Sequence, residues 1–81
     1  MSADDWQPLL LKNWFYLYAK GVWTSAADGP SGRTRVWATP RGRRLRLVVV
    51  GPDGFARSFY PTKERFPALL RSLGTPPGVN A

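Results

Sequence analysis

The sequence contains no cysteine and no histidine. Disulfide bonds are therefore excluded, and so is a zinc site of the usual kind, which takes its ligands from these two residue types. Acidic residues are also few: five Asp and Glu stand against twelve Lys and Arg, which leaves a formal net charge of +7. This surplus favours an anionic partner, which can be nucleic acid, anionic lipid or an acidic protein.

Catalytic side chains are as scarce as metal ligands. Without histidine and cysteine, acid–base or nucleophilic chemistry would fall to serine, lysine, tyrosine or the carboxylates. The five carboxylates mostly stand where helices start or turns are expected, at Asp4, Asp5, Asp28, Asp53 and Glu64. Residues 29–32 lack the P-loop pattern and the helix that follows it. We therefore predict a binding protein and not an enzyme, with no cofactor and no metal.

The chain also lacks an apolar run of the roughly 18–20 residues that a membrane-spanning helix needs. Its first five residues are acidic and lack the basic start of a secretory signal, so we expect a cytoplasmic protein with no membrane role. The length of 81 residues predicts one small domain over residues 1–74. A disordered tail is predicted over residues 75–81.

Aromatic residues, in contrast, are abundant and make up 14% of the chain. A domain of this size buries only about 60% of its unfolded surface, so a few large rings must supply much of the core. We expect core positions for Trp6, Trp14, Trp23, Trp37, Phe59 and Phe66. Residues 9–11 and 14–15 are apolar nearly all round a helix, which predicts a homodimer or docking on a larger partner.

Two structures compete for residues 1–21. Acidic residues suit the start of a helix, apolar residues recur at helical spacing from Leu10 to Tyr18, and Lys20-Gly21 suits its end. The alternative is a hairpin, because residues 14–18 are strand-prone and residues 19–21 would form its loop. We favour the helix and leave residues 14–27 open between helix and hairpin.

The clearest pattern lies in residues 34–60. Residues 34–39, 44–50 and 55–60 each predict a strand, which together form an antiparallel meander. The two connecting loops carry Pro40 before Gly42 and Pro52 before Gly54, an order that suits a type I turn followed by a left-handed glycine. This turn geometry pairs Thr39 with Arg43 across the first loop, and Gly51 with Phe55 across the second.

A C-terminal helix follows the meander. Thr62 is its N-cap candidate, and Gly74 follows its end. One apolar stripe is formed by Phe66, Leu69, Leu70 and Leu73. The predicted fold class is therefore α+β, with an N-terminal helix or hairpin, a three-stranded antiparallel meander, and a C-terminal helix packed on one sheet face.

Six arginines stand between residues 33 and 46, and no acid occurs from residue 29 to residue 52. The predicted register gives one core face, with Trp37, Leu45, Leu47, Val49, Phe55 and Phe59. It gives a second face with Thr34, Val36, Arg44, Arg46, Val48, Ser58 and Tyr60. A one-residue slip in the first turn would move Arg35 and Trp37 to this second face. Arg44 and Arg46 share a face in either register.

The order of strands and helix from residue 34 to residue 73 resembles the C-terminal module of a transcriptional coactivator family, positive cofactor four. The resemblance rests on residues 42–47, on Pro52-Asp53-Gly54, and on residues 59–66 leading into Leu69-Leu70. It covers about half of the chain, as a pattern with few identities. It implies a twisted antiparallel sheet followed by a helix, in a dimer that binds single-stranded DNA.

These observations predict a small non-enzymatic protein that binds nucleic acid, single-stranded rather than duplex, through an arginine-rich sheet face. Duplex DNA is less favoured, because no predicted helix presents a row of basic residues to the major groove. The predicted contact residues are Arg33, Arg35, Arg41, Arg43, Arg44, Arg46 and Tyr60. The alternative is a small inhibitor or adaptor of the bacteriophage type, which docks on an acidic surface of a larger protein.

Overall fold

Five strands and two short helices make up the part of the chain that the computed structural model describes, residues 5–29 and 31–73. In chain order the elements are α1 (Gln7–Lys12), β1 (Tyr16–Ala19), β2 (Val22–Gly29), β3 (Gly32–Arg41), β4 (Arg44–Val50), β5 (Ala56–Phe59) and α2 (Phe66–Leu73). The strands form a single antiparallel sheet in the order β1-β2-β3-β4-β5. Each strand therefore pairs with its neighbour in the chain.

The predicted three-stranded meander is wrong, because the sheet has two further strands at its N-terminal side. The favoured helix over residues 1–21 ends at Lys12, and the following residues form the β1–β2 hairpin. The side-chain amide of Asn13 donates a hydrogen bond to the Leu9 carbonyl at 2.7 Å and closes the helix. Strand propensity prevails here because β2 pairs along its length with β3, which gives the hairpin a sheet to join.

The β3–β4 turn corrects the predicted register. Arg41 pairs with Arg44, and only Gly42 and Arg43 form the loop. Gly42 has a φ of 62°, which fits the glycine at the first loop position of a type II′ turn. Pro40 lies within β3, beyond Ala38, which is the last residue of β3 to pair with β2. The missing amide hydrogen of Pro40 can therefore fall on the side of the strand that faces away from β4.

The β4–β5 turn has the predicted geometry. The Gly51 amide donates to the Phe55 carbonyl at 3.1 Å, and the Gly54 amide donates to the Gly51 carbonyl at 3.0 Å. Gly54 has a φ of 87°, as the left-handed position of this turn requires. The predicted pairing of Gly51 with Phe55 is therefore confirmed.

One face of the sheet carries the hydrophobic core, and both helices pack on it. The core contains Trp6, Leu10, Phe15, Trp23, Val36, Ala38, Leu45, Leu47, Val49 and Phe66. The Phe66 ring meets the Trp6 ring nearly edge-on, with 6.0 Å between ring centroids. Along α2, Leu69, Leu70 and Leu73 are partly buried against this cluster, so the predicted apolar stripe does face the sheet.

Several core predictions are wrong, and for Trp37 the reason is that the β3 register differs from the predicted one. Val36 and Thr34 are buried on the core side, whereas the predicted core residue Trp37 lies on the opposite face. Phe55 lies outside β5 and is 71% exposed. Trp14 is 53% exposed, while Trp6, Trp23 and Phe66 are buried as predicted. Phe59 is partly buried against the core.

Two contacts fasten the β3–β4 hairpin to the rest of the fold. The indole N–H of Trp6 donates a hydrogen bond to the Gly42 carbonyl at 2.9 Å. The Leu45 amide donates to the Pro61 carbonyl at 3.0 Å, where the chain runs from β5 towards α2. The β3–β4 hairpin is thus held by Trp6, near the start of the chain, and by the segment that follows β5.

The start of α2 is irregular. The Thr62 carbonyl accepts hydrogen bonds from the amides of Arg65 and Phe66, and Pro67 falls in the first turn of the helix, where proline is tolerated. The predicted tail over residues 75–81 lies outside the described residues. Neither described helix is long or apolar enough to cross a membrane.

Candidate nucleic-acid interface

Among the residues that the structure describes, no helix covers the second face of the sheet, and we call it the open face. Strand alternation and the observed register place the following residues there: Tyr16, Tyr18, Thr24, Ala26, Asp28, Arg33, Arg35, Trp37, Thr39, Arg41, Arg44, Arg46, Val48, Val50 and Ser58. Thr39 pairs with Arg46, three residues from its predicted partner Arg43, so the observed register is neither the predicted one nor its one-residue slip. Because the shift is an odd number of residues, it exchanges the faces as the one-residue slip would, and Arg35 and Trp37 join Arg44 and Arg46.

Three arginines crowd one end of the open face. Arg41 and Arg44 are direct cross-strand partners, and Arg46 follows Arg44 on the same side of β4. Direct partners have their Cβ atoms about 5 Å apart, and like charges in that position repel each other. All three side chains are exposed. The cost of this repulsion falls when an anion is bound between the guanidinium groups.

Arg44 is also held in position by the main chain. One of its guanidinium nitrogens, Nη1, donates a hydrogen bond to the Tyr60 carbonyl at 2.8 Å. The chain near Thr62 forms a bridge to Arg44 as well. A side chain that is already ordered loses less entropy when it binds a ligand.

Two more arginines lie towards the other end of β3. The Arg35 guanidinium reaches across the small Ala26 side chain, and its Nη1 donates to the Tyr16 hydroxyl at 3.4 Å. Arg33 forms an exposed ion pair with Asp28, with 3.0 Å between Nε and Oδ1. Exposed pairs of this kind are worth about 0–1 kcal/mol and exchange readily with other anions. Of these two arginines, Arg35 is therefore the stronger candidate for contact with a ligand.

An aromatic patch occupies the middle of the open face, between the two groups of arginines. Trp37 lies opposite Thr24 on β2 and Val48 on β4. The Tyr18 ring meets the Trp37 indole nearly edge-on, with 4.9 Å between ring centroids and 84° between their planes. Tyr16 and Tyr18 are 54% and 64% exposed. Rings that are exposed and fixed in this way are suited to stacking with flat ligands.

The sequence-based prediction does not contain this aromatic patch, because two of its assignments are wrong. Tyr16 and Tyr18 were assigned to a helix, and Trp37 was assigned to the core. The signal that would have found it is the alternation of aromatic residues in the hairpin alternative, which places Tyr16 on the same side as Trp37.

The remaining predicted contact residues lie at the margin. Arg43 is exposed in the β3–β4 turn, next to Arg44. Tyr60 follows β5, is 53% exposed, and lines a hollow next to α2 together with Arg65 and Leu69. The hydrogen bond from the Leu45 amide to the Pro61 carbonyl and the bridge between Arg44 and Thr62 continue the β4–β5 register beyond Phe59. This register sets Tyr60 opposite Arg46, at the edge of the open face.

Most of the described carboxylates lie away from the open face. Among the strand residues of the open face, Asp28 is the one carboxylate, and it is paired with Arg33. Asp5 and Glu64 lie together with Lys12 and Lys63 at a hollow on the helical side. Asp53 accepts a hydrogen bond from the Phe55 amide in the β4–β5 turn. The open face therefore presents a positive potential that attracts anions.

Comparisons with protein-family models, with curated proteins and with solved structures found no match for this chain. Within residues 5–29 and 31–73, no group of acidic side chains is arranged to hold a metal ion. The open face combines guanidinium groups, which bind phosphates, with aromatic rings, which stack on bases.

Proposed function

We propose that this protein binds single-stranded nucleic acid across the open face of its sheet. The observation that carries the proposal is the alternation of charge and aromatic surface along β3. Trp37 lies between Arg35 and Arg41, which are six residues apart, roughly 20 Å along an extended strand. An extended chain of nucleotides offers the same two chemistries, phosphates and flat bases, in repeating order.

A single strand fits this surface better than a duplex does. Exposed rings stack on bases only when the bases are unpaired, and the middle of the open face consists of such rings. Neither described helix presents a basic row: α1 contains Lys12 alone, and α2 contains Arg71 alone. The sheet itself is five strands wide, broader than the two-stranded ribbon that enters a major groove.

The experiment is a binding titration with a fluorescent oligonucleotide of about 12 nucleotides, within the range of site sizes for comparable domains. Fluorescence anisotropy is measured for the wild-type protein, for the R44A/R46A double variant and for R57A. Arg57 is an exposed arginine of β5 whose register partner is the core residue Val49, so it lies on the opposite side of the sheet and serves as a control for the loss of an arginine away from the open face.

We expect R44A/R46A to bind at least tenfold more weakly than the wild type, and R57A to bind nearly as well. The duplex of the same sequence should bind more weakly than the single strand. Equal affinities for R44A/R46A and R57A would refute a role for the open face, because the loss of two arginines there would then weaken binding no more than the loss of one arginine on the other side of the sheet.

Docking on an acidic protein surface is the second candidate function. The observation that favours it is exposed apolar surface at the N-terminal side of the molecule, since Leu11 and Leu17 are 54% and 56% exposed. β1 is also an edge strand with unpaired backbone groups on one side, which can add to the sheet of another protein.

The two functions differ in how the L11S/L17S double variant behaves. If the protein docks on a protein partner, the wild type should keep the complex in a co-purification experiment after nuclease treatment. The L11S/L17S variant should lose it. A complex that disappears on nuclease treatment of the wild type, and that R44A/R46A also loses, would count for nucleic acid instead.

A further inference from the structure

One aromatic residue beside the open face has an unusual backbone. Trp14 has a φ of 70°, and it is the one described residue other than glycine with a positive φ. Residues with a Cβ atom rarely adopt this left-handed conformation, because the Cβ atom approaches the following carbonyl oxygen. Bulky residues in this region occur mainly where the surrounding structure holds them for a function.

The surrounding structure does hold Trp14. The hydroxyl of Ser25, a buried residue of β2, donates a hydrogen bond to the Trp14 carbonyl at 2.8 Å. The Trp14 amide donates to the Leu11 carbonyl at 3.2 Å, and the next residue, Phe15, is fixed in the core. Hydrogen bonds and core packing thus fix the backbone before and after Trp14, although its side chain is 53% exposed.

Burial of the indole in the core does not offset this backbone strain, because Trp14 is not part of the core. Trp14 lines a hollow of about 250 Å³ together with Tyr16, Arg33 and Arg35. The floor of the hollow is formed by the small residues Ser25 and Ala26. Two aromatic residues and two arginines therefore surround an open space at the end of the open face that is remote from Arg41 and Arg44.

We propose that this hollow, the Trp14 subsite, takes one unpaired nucleobase of a bound strand, stacked on the Trp14 indole. Arg35 lies between the subsite and the aromatic patch, where it can hold the phosphate next to that base. This inference rests on the proposed function, and it adds the position at which an individual base is bound.

The substitution W14G tests the subsite, because it separates strain from binding. Glycine removes the indole and also adopts a positive φ without cost. If Trp14 served the stability of the fold, W14G would lower the unfolding midpoint. If Trp14 is retained for binding, W14G should keep or raise that midpoint and weaken oligonucleotide binding about 5- to 150-fold, the range expected for the loss of one stacked base.

F55G is the matched control, since Phe55 is an exposed aromatic residue in the β4–β5 turn, away from the hollow. It should leave affinity unchanged. Should W14G fail to fold, W14N replaces it, because asparagine also tolerates a left-handed backbone.

The second arm uses oligonucleotides that each lack one base, at successive positions along the strand. For the wild type, one position should show a marked loss of affinity, and for W14G that loss should vanish. A wild type that binds oligonucleotides with a flat profile, together with unchanged affinity of W14G, overturns the Trp14 subsite but leaves the proposed function standing. A wild type that binds no oligonucleotide overturns both.

Discussion

Arg41 and Arg44 show at the scale of single residues what distinguishes the open face from an ordinary solvated surface. A protein that needed only solubility could place these charges apart, yet the register sets them opposite each other. Pairs of like charges in this position destabilise a sheet by roughly 0.2–1 kcal/mol. Such a cost is typical of sites whose charges serve a ligand.

Replacement of one partner should therefore stabilise the free protein. We expect R41T to raise the free energy of unfolding by about 0.2–1 kcal/mol, because threonine keeps strand propensity and removes the repulsion. Urea denaturation at low and high salt measures this gain, which should shrink as salt screens the charges. R57T provides the comparison, and an equal gain in both variants would mean that only the net charge matters.

At Trp14 the unfavourable feature is the backbone conformation. Its left-handed φ and its exposed ring run against both local propensity and burial, and the Ser25 hydroxyl maintains the arrangement. A sequence that violates two local preferences at one position does so most often at a functional site.

The β3–β4 hairpin shows how elements position these residues. Its two-residue turn fixes the register, and the register decides that Arg41, Arg44 and Trp37 share a face. The turn in turn depends on Gly42, whose φ of 62° favours glycine, and on the hydrogen bond from Trp6 to the Gly42 carbonyl.

Gly42 should be sensitive to substitution for conformational reasons alone. A Cβ atom added there would meet no atom within 4 Å, so G42A should lower the free energy of unfolding by about 1–2 kcal/mol through the unfavourable φ. Thermal denaturation checks this value. R43A alters the other residue of the loop, which has no such requirement, and a cost as large as that of G42A would show that turn conformation is not the cause.

The segment before α2 is a second element with a measurable property. Hydrogen bonds from the backbone at Glu64 and from the Thr62 side chain hold the pKa of Glu64 below its ordinary value of 4.5. Because the folded-state pKa is the lower one, ionised Glu64 favours the folded state above pH 4.5, and this contribution is lost as the pH falls through the folded-state pKa.

We expect the T62A variant to shift the Glu64 pKa upwards, because it removes one of the groups that stabilise the carboxylate. An NMR titration of the Glu64 side chain follows the change directly. T24V serves as the comparison, since it removes a threonine hydroxyl that is bonded to the Val36 carbonyl within the sheet. An unchanged pKa in T62A would exclude the hydroxyl as a cause.

At the scale of the whole molecule, charge is divided between two sides. The open face carries five arginines and one carboxylate, Asp28, while on the helical side Asp5 and Glu64 offset part of the basic charge. Long-range attraction then brings an anionic strand to one side of the protein in preference to the other.

The salt dependence of binding should report how many phosphates the open face engages. For single strands, the slope of log K against log salt concentration is about −0.7 for each phosphate neutralised. The R44A/R46A variant should therefore reduce the magnitude of the slope by about 1.4, and R57A should leave it nearly unchanged. Titrations between about 50 and 200 mM salt measure both slopes. Parallel lines for all three proteins would contradict direct phosphate contacts by Arg44 and Arg46.

The sequence by itself determined the features that depend on local spacing. Alternation in β4 put Arg44 and Arg46 on one side, and the order Pro-Asp-Gly determined the β4–β5 turn. The spacing of Phe66 and Leu73 determined the buried side of α2. Each of these follows from the geometry of one element, which neighbouring residues specify without help from the rest of the chain.

Only the tertiary structure decided what lies beside those two arginines. Residues 14–19 fit a helix and a strand almost equally by local preference, and pairing with β2 settled the choice. The turn at Gly42 fits two loop lengths whose registers put Trp37 on opposite faces, and the burial of Val36 and Ala38 beneath the helices settled that choice. The physical reason is that a strand has a period of two, so a change of one residue in a turn exchanges its faces, and only the core that forms across the whole sheet selects between them.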